Sequence, residues 1–212
     1  MHKYLTLIAM MMFSATSAIA QWDLFPALYD VTGVASDDVL NVRAGTGASH
    51  PIIEALAYND RDIEIVEVSE NGKWGLIGYP GGNGWASMRY LKRQADQGGS
   101  NLPRPLNCGG NEPFWALQFN YDGNEFSEPG QMSHALSTVW EGIPDGMQPV
   151  TYGIKMARGG DEISAVITRS QCSDGMSETA YGFEINALLS GAFGNRMLTG
   201  CCKLRRAQNY QN

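Results

Sequence analysis

The sequence predicts an all-β protein of two small domains, and three observations carry that prediction. Apolar residues recur at every second position in short runs, Gly-, Asn- and Asp-containing turns separate the runs, and no segment sustains a helical period beyond about a dozen residues. Glycine is also abundant, 25 in 212 residues, which suits tight turns and bends in small sheets.

Residues 1–20 stand apart from the expected fold. His2 and Lys3 give a positive start, Leu5 to Phe13 form an apolar run, and Ala18-Ile19-Ala20 supplies a small-x-small cleavage pattern. That is the three-part layout of a secretory signal peptide. A transmembrane helix is the competing reading, but spanning the hydrocarbon core takes about 20 apolar residues. No cysteine lies near residue 20 to accept a lipid. A periplasmic or secreted protein starting at Gln21 is expected, with no membrane insertion after cleavage. Loss of Lys3 with that segment takes the net charge from −7 to −8. An acidic chain with no basic cluster beyond Arg205-Arg206 is a poor nucleic-acid binder, because phosphate is engaged through basic patches.

The domain expected at 21–93 is built from short strands. Val39 to Arg43 and Ile52 to Leu56 come first. Ile63, Ile65, Val66 and Val68 follow with acids between them, and Asn71-Gly72 turns the chain into Trp74-Gly75-Leu76-Ile77. Tyr79-Pro80-Gly81-Gly82-Asn83-Gly84 makes a second turn before Trp85. Residues 94–106 are polar, glycine-containing and then proline-stiffened, and read as a linker. In the domain expected at 107–206, Trp115, Leu117, Phe119 and Tyr121 alternate onto one face, and Asp122-Gly123 turns into Asn124-Glu125-Phe126. Further strands are expected at Ala135–Trp140, Val150–Met156, Ile163–Thr168 and Tyr181–Ile185, with a short turn over Ile185–Leu189. The last strand runs Arg196–Leu204, with Leu198, Cys202 and Leu204 on one face, and 207–212 read as a disordered tail.

Four cysteines, Cys108, Cys172, Cys201 and Cys202, all lie in the second domain. An even count in an exported chain implies two disulfides. A bond between adjacent Cys201 and Cys202 would close a strained ring, so two connectivities remain. Alternation along a strand puts Cys201 and Cys202 on opposite faces, each with its own partner. Of the two, Cys108–Cys202 with Cys172–Cys201 is the expected set. No C-x-x-C pair exists and His134 is the one histidine after Cys108, which argues against zinc. No metal or other cofactor is expected.

Val39-Leu40-Asn41-Val42-Arg43-Ala44-Gly45, Ile52-Ile53-Glu54-Ala55-Leu56, the isolated Trp74 and Gly84-Trp85-Ala86-Ser87-Met88-Arg89-Tyr90-Leu91 occur in that order. Residues 25–93 thereby resemble the bacterial SH3-like domain family. The resemblance implies a small SH3-like barrel that binds and does not catalyse, taking cell-wall peptide or an envelope protein. Tyr58, Trp74, Tyr79, Trp85 and Tyr90 are its candidate ligand-binding residues, since aromatics give large contact area at low entropic cost. Their competing role is barrel core. Ala27-Leu28-Tyr29-Asp30-Val31 is close to the A-L-Y-D-Y segment of eukaryotic SH3 domains, but Ser87 stands where their proline would be and Gly75 replaces their second tryptophan. Proline-helix recognition is therefore not expected.

Cys108-Gly109-Gly110-Asn111-Glu112-Pro113-Phe114-Trp115, Cys172-Ser173-Asp174-Gly175-Met176-Ser177 and Gly200-Cys201-Cys202 make the second half similar to an uncharacterised family of bacterial envelope proteins. That resemblance brings no activity. It leaves a second disulfide-tied small domain, a β-barrel or β-sandwich. Glu112, Trp115, Asp174 and Met176 form a possible second site, because cysteine-flanked turns could bring the two carboxylates together. Turn capping by Asp174 and packing by Met176 are the competing roles.

Enzyme signatures are missing: the chain has no G-x-S-x-G, S-x-x-K or H-E-x-x-H. The expected function is therefore an exported docking protein for peptidoglycan or an envelope partner. The first alternative is an acidic inhibitor of a cationic, lysozyme-type wall hydrolase, steered by charge. The second is a wall hydrolase with Cys108 as nucleophile and His134 as base.

Overall fold

The computed structural model describes residues 24–95, 97 and 99–204. The signal-peptide segment, the start at Gln21, the Arg205-Arg206 pair and the tail at 207–212 lie outside these residues. The protein is all-β, 56% strand and 3% helix.

The first lobe contains β1 (Ala27–Val31), β2 (Val39–Arg43), β3 (Ile52–Ala57), β4 (Ile63–Ile65), β5 (Glu67–Val68), β6 (Trp74–Tyr79), β7 (Gly82–Ser87) and β8 (Leu91–Arg93). They form two sheets, ordered β4-β1-β8 and β3-β2-β7-β6-β5. The sheets communicate through one run of chain: β4 belongs to the first, β5 to the second, and Val66 between them already donates its N–H to Leu76. Ala27, Tyr29, Val31, Leu40, Val42, Ile65 and Ile77 are among the residues filling the space between the sheets.

The second lobe contains β9 (Leu106–Asn111), β10 (Phe114–Phe119), β11 (Asn124–Ser127), β12 (His134–Gly142), β13 (Thr151–Arg158), β14 (Asp161–Cys172), β15 (Tyr181–Ser190) and β16 (Arg196–Leu204). These eight strands close into a barrel, each pairing antiparallel with its sequence neighbour and β16 returning to β9. Eight strands leave an interior that side chains can fill. Leu117, Phe119, Phe126, Tyr152, Met156, Ile163, Ile167 and Ile185 fill it, at 2% exposure or less. The alternation read from Trp115 to Phe119 holds, but β10 ends at Phe119. Tyr121 therefore leaves that face for the turn and is 78% exposed. The short turn expected over Ile185–Leu189 is instead continuous strand, with Ile185, Ala187 and Leu189 inward and Leu188 outward.

Both disulfides are formed as expected. Cys108 bonds Cys202, its register partner across β9 and β16, and Cys172 bonds Cys201. Each crosslink should stabilise the barrel by roughly 2–4 kcal/mol.

Gln97, Leu102 and Leu106 are docked against the lobes, although the composition of 94–106 read as a linker. Gln97 Nε2 donates to Leu28 O at 2.8 Å, Leu102 is 3% exposed, and Leu106 already belongs to β9. Leu28 and Leu102 both join the apolar cluster of the barrel, so the first lobe and the connecting segment share its core. Arg169 strengthens the junction. Its guanidinium donates to Pro26 O at 2.6 Å, to Gln97 O at 3.2 Å and, through Nε, to Pro149 O at 3.1 Å. Asn83 reaches across from β7 to Glu178 O and Ala180 N. The backbones approach so closely that a Cβ on Gly78 would collide with Ala180 O, which is why only glycine fits there.

Candidate functional site

The junction leaves a cleft of about 700 Å³ between the lobes. One wall is the first lobe, with Glu64 on β4 and Ile77 and Tyr79 on β6. The other is the outer face of the barrel where β9 meets β16, bearing Asn107 and Lys203, with Phe114 and Trp115 on β10 beside it. Leu106, Cys108, Cys202 and Leu204 point inward on these strands, so alternation turns Asn107 and Lys203 out into the cleft.

Glu64 is the most unusual group in this cleft. It lies between two isoleucines, Ile63 and Ile65, and is 3% exposed. Its Oε1 accepts the N–H of Leu204 at 2.8 Å, while Oε2 is buried without a hydrogen-bond partner. Burial pushes the carboxyl up to about 7, against the Leu204 N–H and the charges of Lys203 and Arg169, which pull it down. Asn107 Oδ1 is likewise buried and unpartnered. Asn107 is the register partner of Lys203, the residue next to Leu204, so the Glu64 anchor and the second orphan acceptor sit on adjacent rungs of one ladder. Buried polar atoms are ordinarily paired, and leaving one unpaired costs about 1–3 kcal/mol. Both residues line the cleft, but neither of these two atoms is open to solvent. Lys203 donates to Gly78 O, and its charge acts on Glu64.

The aromatic residues singled out from the sequence do not form one surface. Tyr79 lines this cleft. Trp74 and Tyr90 line a separate groove of about 380 Å³ on the first lobe, together with Arg43 and Arg89. Trp85 packs against Val66, Leu76 and Ala180, where its ring helps join the lobes. Tyr58 is 40% exposed and lies in the turn after β3, outside both depressions.

Glu112, Asp174 and Met176 do converge, in a shallow recess backed by the Cys172–Cys201 disulfide. Trp115 does not join them and is buried, 5% exposed, on the barrel side of the interlobe cleft. Asp174 is fully engaged by its own turn. Its carboxylate accepts the N–H groups of Met176 (3.0 Å) and Ser177 (2.8 Å) and the hydroxyls of Ser177 and Tyr181 (3.1 Å). Burial acts to raise its carboxyl, but these donors together outweigh it and hold the group below the usual carboxylate range. Asp174 therefore caps the turn, and Met176 is 67% exposed beside it. Cys108 is bonded to Cys202, so the thiol that a Cys108 nucleophile would need is absent.

Compared with models of protein families, with curated proteins and with solved structures, the chain matches none. Its site has to be read from its own residues. Glu64, Asn107, Lys203 and Arg169 carried no signal as a group in the sequence. An acid flanked by isoleucines looks like the solvent face of a strand, and here the barrel covers that face.

Proposed function

We propose that this is an exported protein of a bacterial cell envelope that binds peptide segments of peptidoglycan in the cleft between its two lobes. The observation that carries the reading is the cleft itself, which presents mainly apolar surface between the two lobes. Its volume, about 700 Å³, falls within the roughly 300–1,000 Å³ usual for pockets that enclose small ligands. A protein partner would instead need about 800 Å² of matching surface on each side. A short peptide is the ligand of the right size. The two disulfides fit an oxidising compartment. The signal-peptide pattern of residues 1–20 supports the same compartment.

Retention on purified peptidoglycan tests the reading. Tyr79 and Phe114 face the cleft from opposite lobes, and Phe114 is 54% exposed, so Tyr79→Ala with Phe114→Ala should leave the melting temperature nearly unchanged. Retention should weaken at least tenfold, about 1.4 kcal/mol, a modest demand on two aromatic contacts. Unaltered retention of this variant, with detachment on replacing Trp74 and Tyr90, would move binding to the groove on the first lobe.

A further inference from the structure

We infer that Trp140, on the outer wall of the barrel, is a stacking platform for a sugar ring of the peptidoglycan glycan; the choice of peptidoglycan as the source of the sugar rests on the reading above. Trp140 does not border the interlobe cleft. An irregularity in β12 turns it outward. Leu136 is buried and Thr138 faces the buried Met156, so unbroken alternation would send Trp140 inward after them. The register shifts between Thr138 and Trp140, which makes Val139 the additional residue and brings Trp140 opposite Lys155. Lys155 lies between the buried Ile154 and Met156 and points out. A bulge of this kind re-aims a side chain.

The barrel then supplies a bed for the indole. Gly142 and Gly153 face each other across β12 and β13. A Cβ on Gly142 would stand 3.1 Å from Cζ2 of Trp140, and one on Gly153 would stand 2.9 Å from Cζ3. Neither glycine has a positive φ, so backbone conformation does not require them. Glycine weakens a strand interior and marks places where another group must come close. Here that group is the indole. The ring is nonetheless 57% exposed, so its side away from the sheet is open.

The frame around this bed selects the ligand. Exposed Val166 faces Gly153 from β14. Along β13, Thr151 and Lys155 flank Gly153 on the outward face, since Tyr152 and Ile154 point in. The hydroxyls of Thr151 and Thr168 are 3.5 Å apart, and Lys155 Nζ lies 2.8 Å from a Glu162 carboxylate oxygen. The patch is apolar at its centre and polar at two ends about 13 Å apart along the strand. A gluco-configured pyranose has the matching form. Its axial C–H bonds present a weakly positive face to the negative face of the indole, while its equatorial substituents reach the polar rim. A protein partner would need about 800 Å² of surface with a core poor in charge, and an ion pair stands here.

The test uses the whole protein and one probe, the β-1,4-linked tetramer of N-acetylglucosamine. Isothermal titration should show binding that weakens at least tenfold in Trp140→Ala and is partly recovered in Trp140→Phe. Gly153→Val keeps the tryptophan but puts side-chain atoms where its ring lies, and should weaken binding as much. Circular dichroism verifies that each variant is folded. The Tyr79→Ala, Phe114→Ala variant should bind the tetramer as the wild type does, which separates this inference from the cleft reading. No binding by the wild type, or equal binding by Trp140→Ala, would overturn the platform and leave the cleft reading standing. Self-association that Trp140→Ala abolishes, with no tetramer bound, would overturn it in favour of a contact between two copies. Tetramer binding that needs Trp140, with retention on peptidoglycan indifferent to Tyr79 and Phe114, would support the platform and overturn the cleft.

Discussion

Replacing Arg169 with Met should destabilise the protein by about 3–5 kcal/mol, the cost of leaving buried partners of a charged group unpaired. Arg169 is 8% exposed and belongs to β14, yet two of its bonds leave the barrel. Pro26 O lies ahead of β1 and Gln97 O in the segment joining the lobes, while Pro149 O and the Tyr152 hydroxyl hold the guanidinium from within the barrel lobe. The same plane rests over Phe183, at 5.1 Å from the ring centroid, and over Tyr152 at 5.7 Å. Met can keep part of the stacking and none of the hydrogen bonds, so the loss reports the polar junction. Arg169→Lys should recover only a fraction, because an ammonium cannot reproduce a planar fork directed at several carbonyls. Urea unfolding measures both. A loss below 1 kcal/mol for Arg169→Met would mean that the lobes are held by apolar contact alone.

Glu64 should make stability fall as pH rises. Its folded-state carboxyl titrates near 7, against an ordinary value of 4.5, so the folded protein binds the proton more tightly than the unfolded chain. The stabilisation is therefore complete below about pH 4.5 and is lost as pH rises through about 7. Between pH 5 and pH 8 the loss amounts to roughly 2–3 kcal/mol. Other carboxylates titrate over part of this window, so the informative quantity is the difference between the wild type and Glu64→Gln. A neutral Gln keeps an acceptor for the Leu204 N–H, and the two proteins should be about equally stable near pH 5. By pH 8 the variant should be the more stable. Lys203 and Arg169 both draw the Glu64 carboxyl downward, so the Arg169→Met variant should show its transition at higher pH than the wild type. A wild-type-minus-variant difference that does not change with pH would show that Glu64 is not buried as described.

The parts of this architecture that depend on local alternation were legible in the sequence. Asp122-Gly123 announced the β10–β11 hairpin, the last strand was read over the residues it occupies, and the adjacent cysteines on that strand led to both disulfide pairs. Where apolar residues occupied both faces, periodicity failed. Ala187, Leu188 and Leu189 suggested a turn because Leu188 is apolar although it faces outward, 60% exposed. Contacts between distant segments were not legible at all. Composition marked 94–106 as a linker and could not register that Leu102 would enter the barrel's apolar cluster. Trp85 looked like a ligand-facing ring because its neighbour Ala180 is far away in sequence. Glu64 was hidden for the same reason: the N–H that anchors it belongs to Leu204, 140 residues later.

Whether ligand binds where the two lobes meet is decided by amide chemical-shift mapping of isotope-labelled protein with short soluble peptidoglycan peptides. The perturbed amides should come from both lobes at once, around Ile77–Tyr79 on β6 and around Asn107–Gly110 and Lys203 on the barrel. Perturbations confined to the groove of Trp74 and Tyr90, or absent from the barrel altogether, would contradict binding there.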